Sequence, residues 1–180
     1  REIRGSQIGM VFQDTKASFC PVRTIGSQIY ESMSAHRKIT RKEAEELSCE
    51  MFYRLGFPDP GRILKSYPFE LSGGMNQRVG IAMAMMQRPA VLLADEPTSA
   101  LDVITQRQAV EEMMALRKLY GTAIILVTHN MGLVSAMADT VIVLHEGRIG
   151  EYGDAGQVLK QPRAEYTKKL LDAVPGLRRK

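Results

Sequence analysis

Two short apolar segments separated by a long helical pattern constrain the fold of this chain most strongly. Val91–Ala94 and Ala123–Thr128 are uninterrupted runs of apolar and β-branched residues, and Val103–Tyr120 between them is helical in pattern and followed by Gly121. Continuous apolar strands that alternate with helices predict a parallel sheet covered on both faces. Ile8–Phe12 is a further apolar run and is predicted to be a buried strand of the same sheet. We therefore predict an α/β fold.

Residues 14–88 interrupt this alternation with helical patterns alone. Thr40 and Glu43 have the spacing of a capping box, which predicts a helix start. Phe57–Glu70 is rich in proline and charge and is predicted to be a loop, and residues 72–87 are predicted to form another helix. This segment is therefore expected to be a helical subdomain.

The last part of the chain contains a predicted hairpin over residues 140–152 that turns at Glu146–Gly147. Together with the strands above, it completes the expected organisation. Residues 1–13 and 89–180 should form an α/β core, and residues 14–88 should form a helical subdomain inserted into it.

Composition excludes several classes of protein. Of the 180 residues, 44% are hydrophobic and 24% are charged, as in an ordinary globular protein. The apolar runs are too short to cross a bilayer, so any membrane role should be peripheral. A net charge of +4 is too small to indicate a nucleic-acid partner. Cys20 and Cys49 lack metal-ligand spacing and are expected to be reduced thiols.

The segment Leu71–Arg78, with the sequence LSGGMNQR, is a candidate anion site. Gly73 and Gly74 begin a predicted helix, so their backbone N–H groups are exposed to a ligand, and the helix dipole adds partial positive charge. Ser72 supplies a hydroxyl donor at the same place. The alternative is a Ser-Gly-Gly turn that only begins a helix, and the segment alone does not exclude it.

Two acids, Asp95 and Glu96, directly follow the predicted strand Val91–Ala94. This position is the carboxyl edge of a parallel sheet, where ligand sites of α/β proteins lie. In nucleotide hydrolysis the first acid can hold Mg²⁺, and the second can orient or deprotonate the attacking water. Strand-end acids that merely face solvent are the alternative.

Further polar residues stand at other strand ends and helix starts. Gln13 ends the first strand, His129 follows the strand Ala123–Thr128, and Asp102 is placed to cap the helix that begins at Val103. Each alone indicates little, since a lone histidine is more often structural than catalytic. Five elements follow one another along the chain: Gln13, LSGGMNQR, LLADEP, SALD and His129. Together they indicate one nucleotide site, because chance agreement on five elements is far rarer than on one.

These motifs resemble the nucleotide-binding subunit of ABC transporters, and the resemblance covers essentially the whole chain. Gln13 matches the Q-loop of that family, and residues 71–75 (LSGGM) match its signature. Asp95–Glu96 match Walker B and the catalytic glutamate. Residues 99–102 (SALD) match the D-loop, and His129 matches the switch histidine.

Other features resemble the oligopeptide, dipeptide and nickel uptake branch of this family. They are the VFQD sequence at 11–14, the Tyr67–Pro68 pair and the AEYT sequence at 164–167. Asn76 stands where this branch often has arginine, and we expect no effect of this difference on catalysis.

The resemblance implies a P-loop NTPase core that binds ATP and Mg²⁺. Glu96 and His129 are the expected catalytic residues, and Gln13 and Asp95 are expected to hold Mg²⁺ with a Ser/Thr from the phosphate loop. The residues expected to contact ATP are Gln13, Leu71, Ser72, Gly73, Gly74, Met75, Gln77, Asp95, Ser99, Asp102 and His129.

The same resemblance implies partners and a location. Two such subunits, identical or sister, would close head to tail around two ATP molecules, each signature meeting the γ-phosphate that the other holds. The helical segment 14–88 would dock on transmembrane permease subunits at the cytoplasmic face of the membrane, and a substrate-binding protein would act indirectly.

The phosphate loop of the family, G-x-x-x-x-G-K-[ST], has no match in this sequence. Gly5, Ser6 and Gly9 lack both its spacing and its lysine. We therefore expect the N-terminal part of the ATPase core to be missing, and the chain alone to bind ATP weakly without hydrolysing it. A missing strand should also leave an unpaired edge at Ala123–Val127.

Two other functions remain open at this point. One is a soluble ABC ATPase of DNA repair or translation, although such proteins usually carry long coiled-coil or tandem-domain insertions. The other is a non-catalytic module that donates only the signature segment.

Overall fold

The computed structural model describes residues 3–99 and 101–173. It divides into two compact units, Arg1–Val127 and Thr128–Lys180. This division does not follow the predicted boundaries at residues 14 and 88, and the inserted helical subdomain stays a prediction. Every residue from 14 to 88 is described and none of them lies in a strand.

The first unit contains a three-stranded parallel sheet in the order β1, β2, β3. These strands are Ile8–Val11, Val91–Asp95 and Ala123–Val127. Val11 pairs with Ala94, and Asp95 pairs with Val127. Because the strands are parallel and nearly in step, their carboxyl ends meet at one edge of the sheet.

Helices make up the rest of this unit. They are α1 (Thr15–Ser18), α2 (Ile25–Ser34), α3 (Arg41–Arg54), α4 (Pro60–Lys65), a 3-10 turn (Pro68–Glu70), α5 (Gly73–Met85) and α6 (Val103–Tyr120). The capping box is confirmed, since the Glu43 N–H donates to Thr40 Oγ1 at 3.2 Å and the Thr40 N–H donates to Glu43 Oε2 at 2.7 Å. Cys20 and Cys49 are free thiols, as expected.

The predicted loop over Phe57–Glu70 is wrong, because it contains α4 and the 3-10 turn. Asp59 caps α4, and its carboxylate accepts a hydrogen bond from the Arg62 N–H at 2.9 Å. Pro60 occupies the first helical position, where its missing N–H has no partner to lose. A proline that begins a helix and one that breaks a helix contribute equally to composition, so composition alone misled the prediction.

Among the described residues, the two faces of the sheet differ in burial. Val11, Leu92 and Ala94 are fully buried on the face that meets α5, and the opposite face leaves Met10 45% and Ile125 55% exposed. The prediction that both faces are covered is therefore wrong for the described residues. Continuous apolar strands predict that both faces are covered, but they do not show which polypeptide covers each one.

Strand β3 forms an edge of this sheet, because β2 is its only neighbour among the strands described. Its outward side chains Ile125 and Val127 are more than half exposed. The expected unpaired edge at Ala123–Val127 is thus present.

Helix α5 lies very close to the segment that follows β1. A Cβ at Gly80 would lie 2.1 Å from Thr15 Cγ2. Thr15 is itself buried, and its hydroxyl donates to the Phe12 carbonyl at 3.1 Å. The turn that carries Gln13 is therefore held against α5.

The second unit contains an antiparallel hairpin and three helices in its described part. Glu146 and Gly147 have φ values of 50° and 73°, as expected for a two-residue turn with both φ angles positive, so the predicted hairpin is confirmed. The elements are α7 (Met131–Met137), β4 (Thr140–His145), β5 (Arg148–Asp154), α8 (Ala155–Lys160) and α9 (Glu165–Asp172). Among the helices described in either unit, none has the length and apolar character to span a membrane.

Gly80→Ala is expected to lower the free energy of unfolding by about 1–3 kcal/mol, because the new methyl overlaps Thr15 in a packed contact. Urea denaturation measures this change. Gly61→Ala is the matched helical control: its new Cβ would meet only Asp59 Oδ1 at 3.7 Å, so no loss is expected. Adding Thr15→Ser to Gly80→Ala removes Cγ2 but keeps the hydroxyl, and should restore part of the loss. Equal losses in both alanine variants would contradict the packing argument.

Candidate functional site

The carboxyl edge of the sheet carries three of the predicted site residues of the first unit. Asp95 is the last residue of β2, Glu96 follows it, and Gln13 stands two residues beyond the end of β1. Gln13 and Asp95 are exposed and Glu96 is half-buried. The register places these residues at one edge, as the sequence predicts.

The backbone at Glu96 is strained. Its φ is +43°, in the left-handed region that a non-glycine residue enters at a cost of about 1–3 kcal/mol. Hydrogen bonds on both sides hold it. The Glu96 N–H donates to the Val127 carbonyl at 2.9 Å, and the Glu96 carbonyl accepts from the Ser99 N–H at 3.2 Å and from the Ser99 hydroxyl at 3.1 Å. The chain thus turns sharply after Asp95 and fixes the second acid.

Asp102 caps helix α6, as predicted. One carboxylate oxygen accepts hydrogen bonds from the N–H groups of Ile104 and Thr105, both at 3.0 Å, and the other accepts from the Thr105 hydroxyl at 2.8 Å. The hydrogen bonds from Thr105 lower the pKa of Asp102. Ala100, the second residue of the SALD sequence, lies outside the described residues.

The LSGGMNQR segment begins helix α5. Ser72 is the N-cap, and its Oγ accepts a hydrogen bond from the Met75 N–H at 3.2 Å. Ser72 and Gly73 are exposed, whereas Leu71 and Gln77 are buried. Within this segment, the serine hydroxyl and the first glycine are the parts most open to a ligand.

The second glycine has a packing role. A Cβ at Gly74 would lie 2.5 Å from Thr105 Cγ2, whereas a Cβ at Gly73 would meet nothing within 4 Å. The prediction that both glycines let a ligand approach closely is therefore corrected for Gly74, whose missing side chain makes room for Thr105. Since Thr105 also binds Asp102, the start of α5 and the capped start of α6 are joined. Nothing in the sequence pattern marks Thr105.

A partly buried ion pair joins α5 to α6 further along. Arg78 Nε donates to Glu112 Oε1 at 2.6 Å, and the two side chains are 15% and 11% exposed. Arg78 also donates to the Leu55 carbonyl and lies over the Phe57 ring, 4.3 Å from its centroid. Sequence analysis missed this pair because its members are 34 residues apart.

Burial raises the pKa of Glu112, and the hydrogen bond and charge of Arg78 partly oppose that effect. The folded protein therefore holds this carboxylate at a desolvation cost. The pair links α5 to α6.

His129 belongs to the second unit and stands two residues after the end of β3. It is exposed, and the next residue, Asn130, caps α7 by accepting a hydrogen bond from the Gly132 N–H at 2.9 Å. The expectation that His129 acts together with Asp95 and Glu96 stays a prediction.

The family model described as "ABC transporter" matches residues 1–99. The chain belongs to the ABC transporter family. It is 48% identical over 177 residues to a putative peptide import ATP-binding protein of Brucella melitensis and 44% identical over 176 residues to the oligopeptide transport ATP-binding protein AmiE of Streptococcus pneumoniae. It is also 42% identical over 177 residues to the dipeptide transport ATP-binding protein DppD of Bacillus subtilis.

Each of these alignments covers 98% of this chain but 52%, 50% and 53% of the respective relative. The chain thus spans about half the length of these curated relatives. A dimeric ATP-binding cassette in a post-hydrolysis state, bound to ADP and Pi, matches with a TM-score of 0.73 and 25% identity over 84% of this chain and 64% of that one. The predicted fold class, a partial ABC ATPase core with a parallel sheet, is confirmed.

We expect the stability of the wild type relative to Glu112→Gln to decrease as the pH rises. The folded-state pKa of Glu112 is raised above its ordinary value of 4.5. The stability that Glu112 contributes is therefore fully present at pH values below its pKa in the unfolded chain. It is lost as the pH rises through its pKa in the folded protein. Urea denaturation of both proteins at a series of pH values measures the difference.

Thr122→Val is the control for this comparison. It removes a buried hydrogen bond, from the Thr122 hydroxyl to the Pro89 carbonyl at 2.8 Å, but no titrating group. The difference in free energy of unfolding between Thr122→Val and the wild type should not change with pH. If the wild type instead became more stable relative to Glu112→Gln as the pH rises, the raised pKa of Glu112 would be contradicted.

Proposed function

We propose that the full-length protein binds and hydrolyses ATP to drive import of peptides or nickel by an ABC transporter. One observation carries the proposal: relatives 42–48% identical over 98% of this chain are named as peptide, oligopeptide and dipeptide ATP-binding proteins. The exposed polar edge with Gln13, Asp95 and Glu96 supports it.

In this proposal Glu96 orients the attacking water and accepts its proton, since its backbone is held in place by hydrogen bonds on both sides. Gln13 and Asp95 are exposed oxygen donors at one edge, which suits Mg²⁺ because this ion keeps several waters and phosphate oxygens as ligands. When bound, Mg²⁺ neutralises charge on the phosphates. His129 contacts the γ-phosphate.

The start of α5 meets the nucleotide of a partner subunit. The Ser72 hydroxyl and the N–H groups at Gly73 and Gly74 stand at the positive end of the helix dipole. Leu71 and Gln77 are buried and support this segment from within. The remaining proposed contacts to ATP are Met75, Ser99 and Asp102.

We also propose that the rest of the subunit carries the phosphate loop. The sequence G-x-x-x-x-G-K-[ST] has no match in this chain, which spans about half the length of its relatives. The exposed apolar face around Met10 and Ile125 supports a position for further polypeptide against this sheet.

The proposed partners are a second ATPase subunit, transmembrane permease subunits at the cytoplasmic face of the cell membrane and, indirectly, a substrate-binding protein. The solved dimeric cassette supports the first of these. A soluble ABC ATPase is less well supported, because the relatives above are named for transport. A module that only donates the signature would not need Asp95 and Glu96.

In the full-length protein, Glu96→Gln should reduce ATP turnover at least about 100-fold, because it removes the general base. ATP-dependent dimers should persist, because the amide keeps the side-chain shape. Phosphate release and light scattering with MgATP measure the two properties. Glu111→Gln removes a similar charge from the exposed surface of α6 and should leave turnover unchanged. Normal turnover in Glu96→Gln would remove this residue from its role.

The 180-residue chain should bind MgATP far more weakly than the full-length protein, because most contacts to the β- and γ-phosphates come from the phosphate loop. Isothermal titration calorimetry on both proteins tests this difference. A micromolar affinity for the chain alone would show that the residues present here are sufficient to hold the nucleotide.

A further inference from the structure

Asn76 occupies an unusual place in the LSGGMNQR segment. It is the fourth residue of α5 and its side chain is 0% exposed. Helical side chains lean toward the N-terminus of their helix, so a residue in the first turn reaches the segment that enters the helix. Asn76 is therefore placed to bind the backbone just before the signature.

The side-chain amide of Asn76 donates to three carbonyls. Nδ2 lies 2.9 Å from the Pro68 carbonyl oxygen, 3.1 Å from that of Leu71 and 3.2 Å from that of Ser72. Pro68 begins the 3-10 turn, Leu71 is its C-cap, and Ser72 is the N-cap of α5. One buried group thus ties together the whole entry to the helix.

The orientation of this amide follows from its partners. The Oδ1 atom is buried and has no hydrogen-bond partner among the residues described. Exchanging oxygen and nitrogen would direct an acceptor at three acceptors, which is unfavourable. The unpaired Oδ1 costs free energy, because a buried acceptor without a hydrogen bond has lost its water. We infer that the N–H donors of Asn76 are the reason why this position suits asparagine.

The same segment is restrained from its other side. Gly74 packs on Thr105, as described above, and the Asn76 N–H donates to the Ser72 carbonyl at 2.9 Å. Both the backbone N–H and the side-chain amide of Asn76 therefore donate to the carbonyl oxygen of Ser72. The direction of the Ser72 hydroxyl and of the first N–H groups of α5 depends on this arrangement.

We propose that Asn76 is the positioning residue of the signature segment. It is closed to solvent and would not touch the nucleotide, but it fixes the backbone whose exposed groups at Ser72 and Gly73 would meet a phosphate of the partner subunit. This inference rests on the proposed function. It replaces the expectation that the residue at position 76 has no effect on catalysis.

The test uses Asn76→Asp and Asn76→Ala in the full-length protein. The first keeps the shape but places oxygen against the three carbonyls, and the second removes both donors and acceptor. Asn76→Ala serves if Asn76→Asp does not fold. Thr122→Val is the control, because it also removes a buried side-chain hydrogen bond to a carbonyl, at the start of β3 rather than at the signature.

Hydrogen exchange of the amides in residues 67–75 is the first readout and does not depend on ATP. Both Asn76 variants should exchange about tenfold faster there, as expected for lost hydrogen bonds, and Thr122→Val should not. Exchange in this segment equal to that of Thr122→Val would overturn the proposal.

ATP-dependent dimerisation, with Glu96→Gln present in every protein, is the second readout. The Asn76 variants should dimerise about tenfold more weakly, with ATP affinity of the monomer within about twofold of the parent, since the signature would act on the partner's nucleotide. If the Asn76 variants showed faster hydrogen exchange but unchanged dimerisation, the positioning role would be overturned. A parent that forms no dimers with ATP would instead contradict the proposed function, and hydrogen exchange would still decide whether Asn76 fixes the segment.

Discussion

The close packing of helix α5 is the constraint on which the rest of the first unit depends. Three glycines permit it: Gly9 lets β1 approach the Ala84 carbonyl, Gly80 admits Thr15, and Gly74 admits Thr105. A Cβ at any of these positions would lie within 2.8 Å of its neighbour, closer than packed atoms tolerate. One helix therefore sets the positions of the first strand, of the turn with Gln13 and of the start of α6.

The candidate site combines this rigid packing with local strain. Glu96 keeps a positive φ because hydrogen bonds to Val127 and Ser99 hold it, and Asn76 keeps the signature in place at the expense of an unsatisfied oxygen. Residues that are held in costly conformations cluster at functional sites. Both features thus agree with a site whose chemistry requires fixed groups rather than flexible ones.

Errors of the sequence interpretation have physical causes that can be named. A sequence rich in proline predicts a loop at Pro60–Lys65, where the structure has a helix, because composition does not distinguish a proline at the first helical position from a helix-breaking one. The second face of the sheet was expected to be covered, but apolarity does not say which polypeptide covers it. The pair Arg78–Glu112 joins residues 34 apart, and local patterns do not report such contacts.

The sequence by itself determined the local features: the strand segments, the capping box at Thr40, the turn at Glu146–Gly147 and the acids at the end of β2. These follow from periodicity, caps and turn chemistry, which act over a few residues. Only the tertiary structure decided which glycine is open and which is packed, and what Asn76 binds. Those properties depend on contacts between elements far apart in the chain, and a sequence pattern carries no distances across the fold.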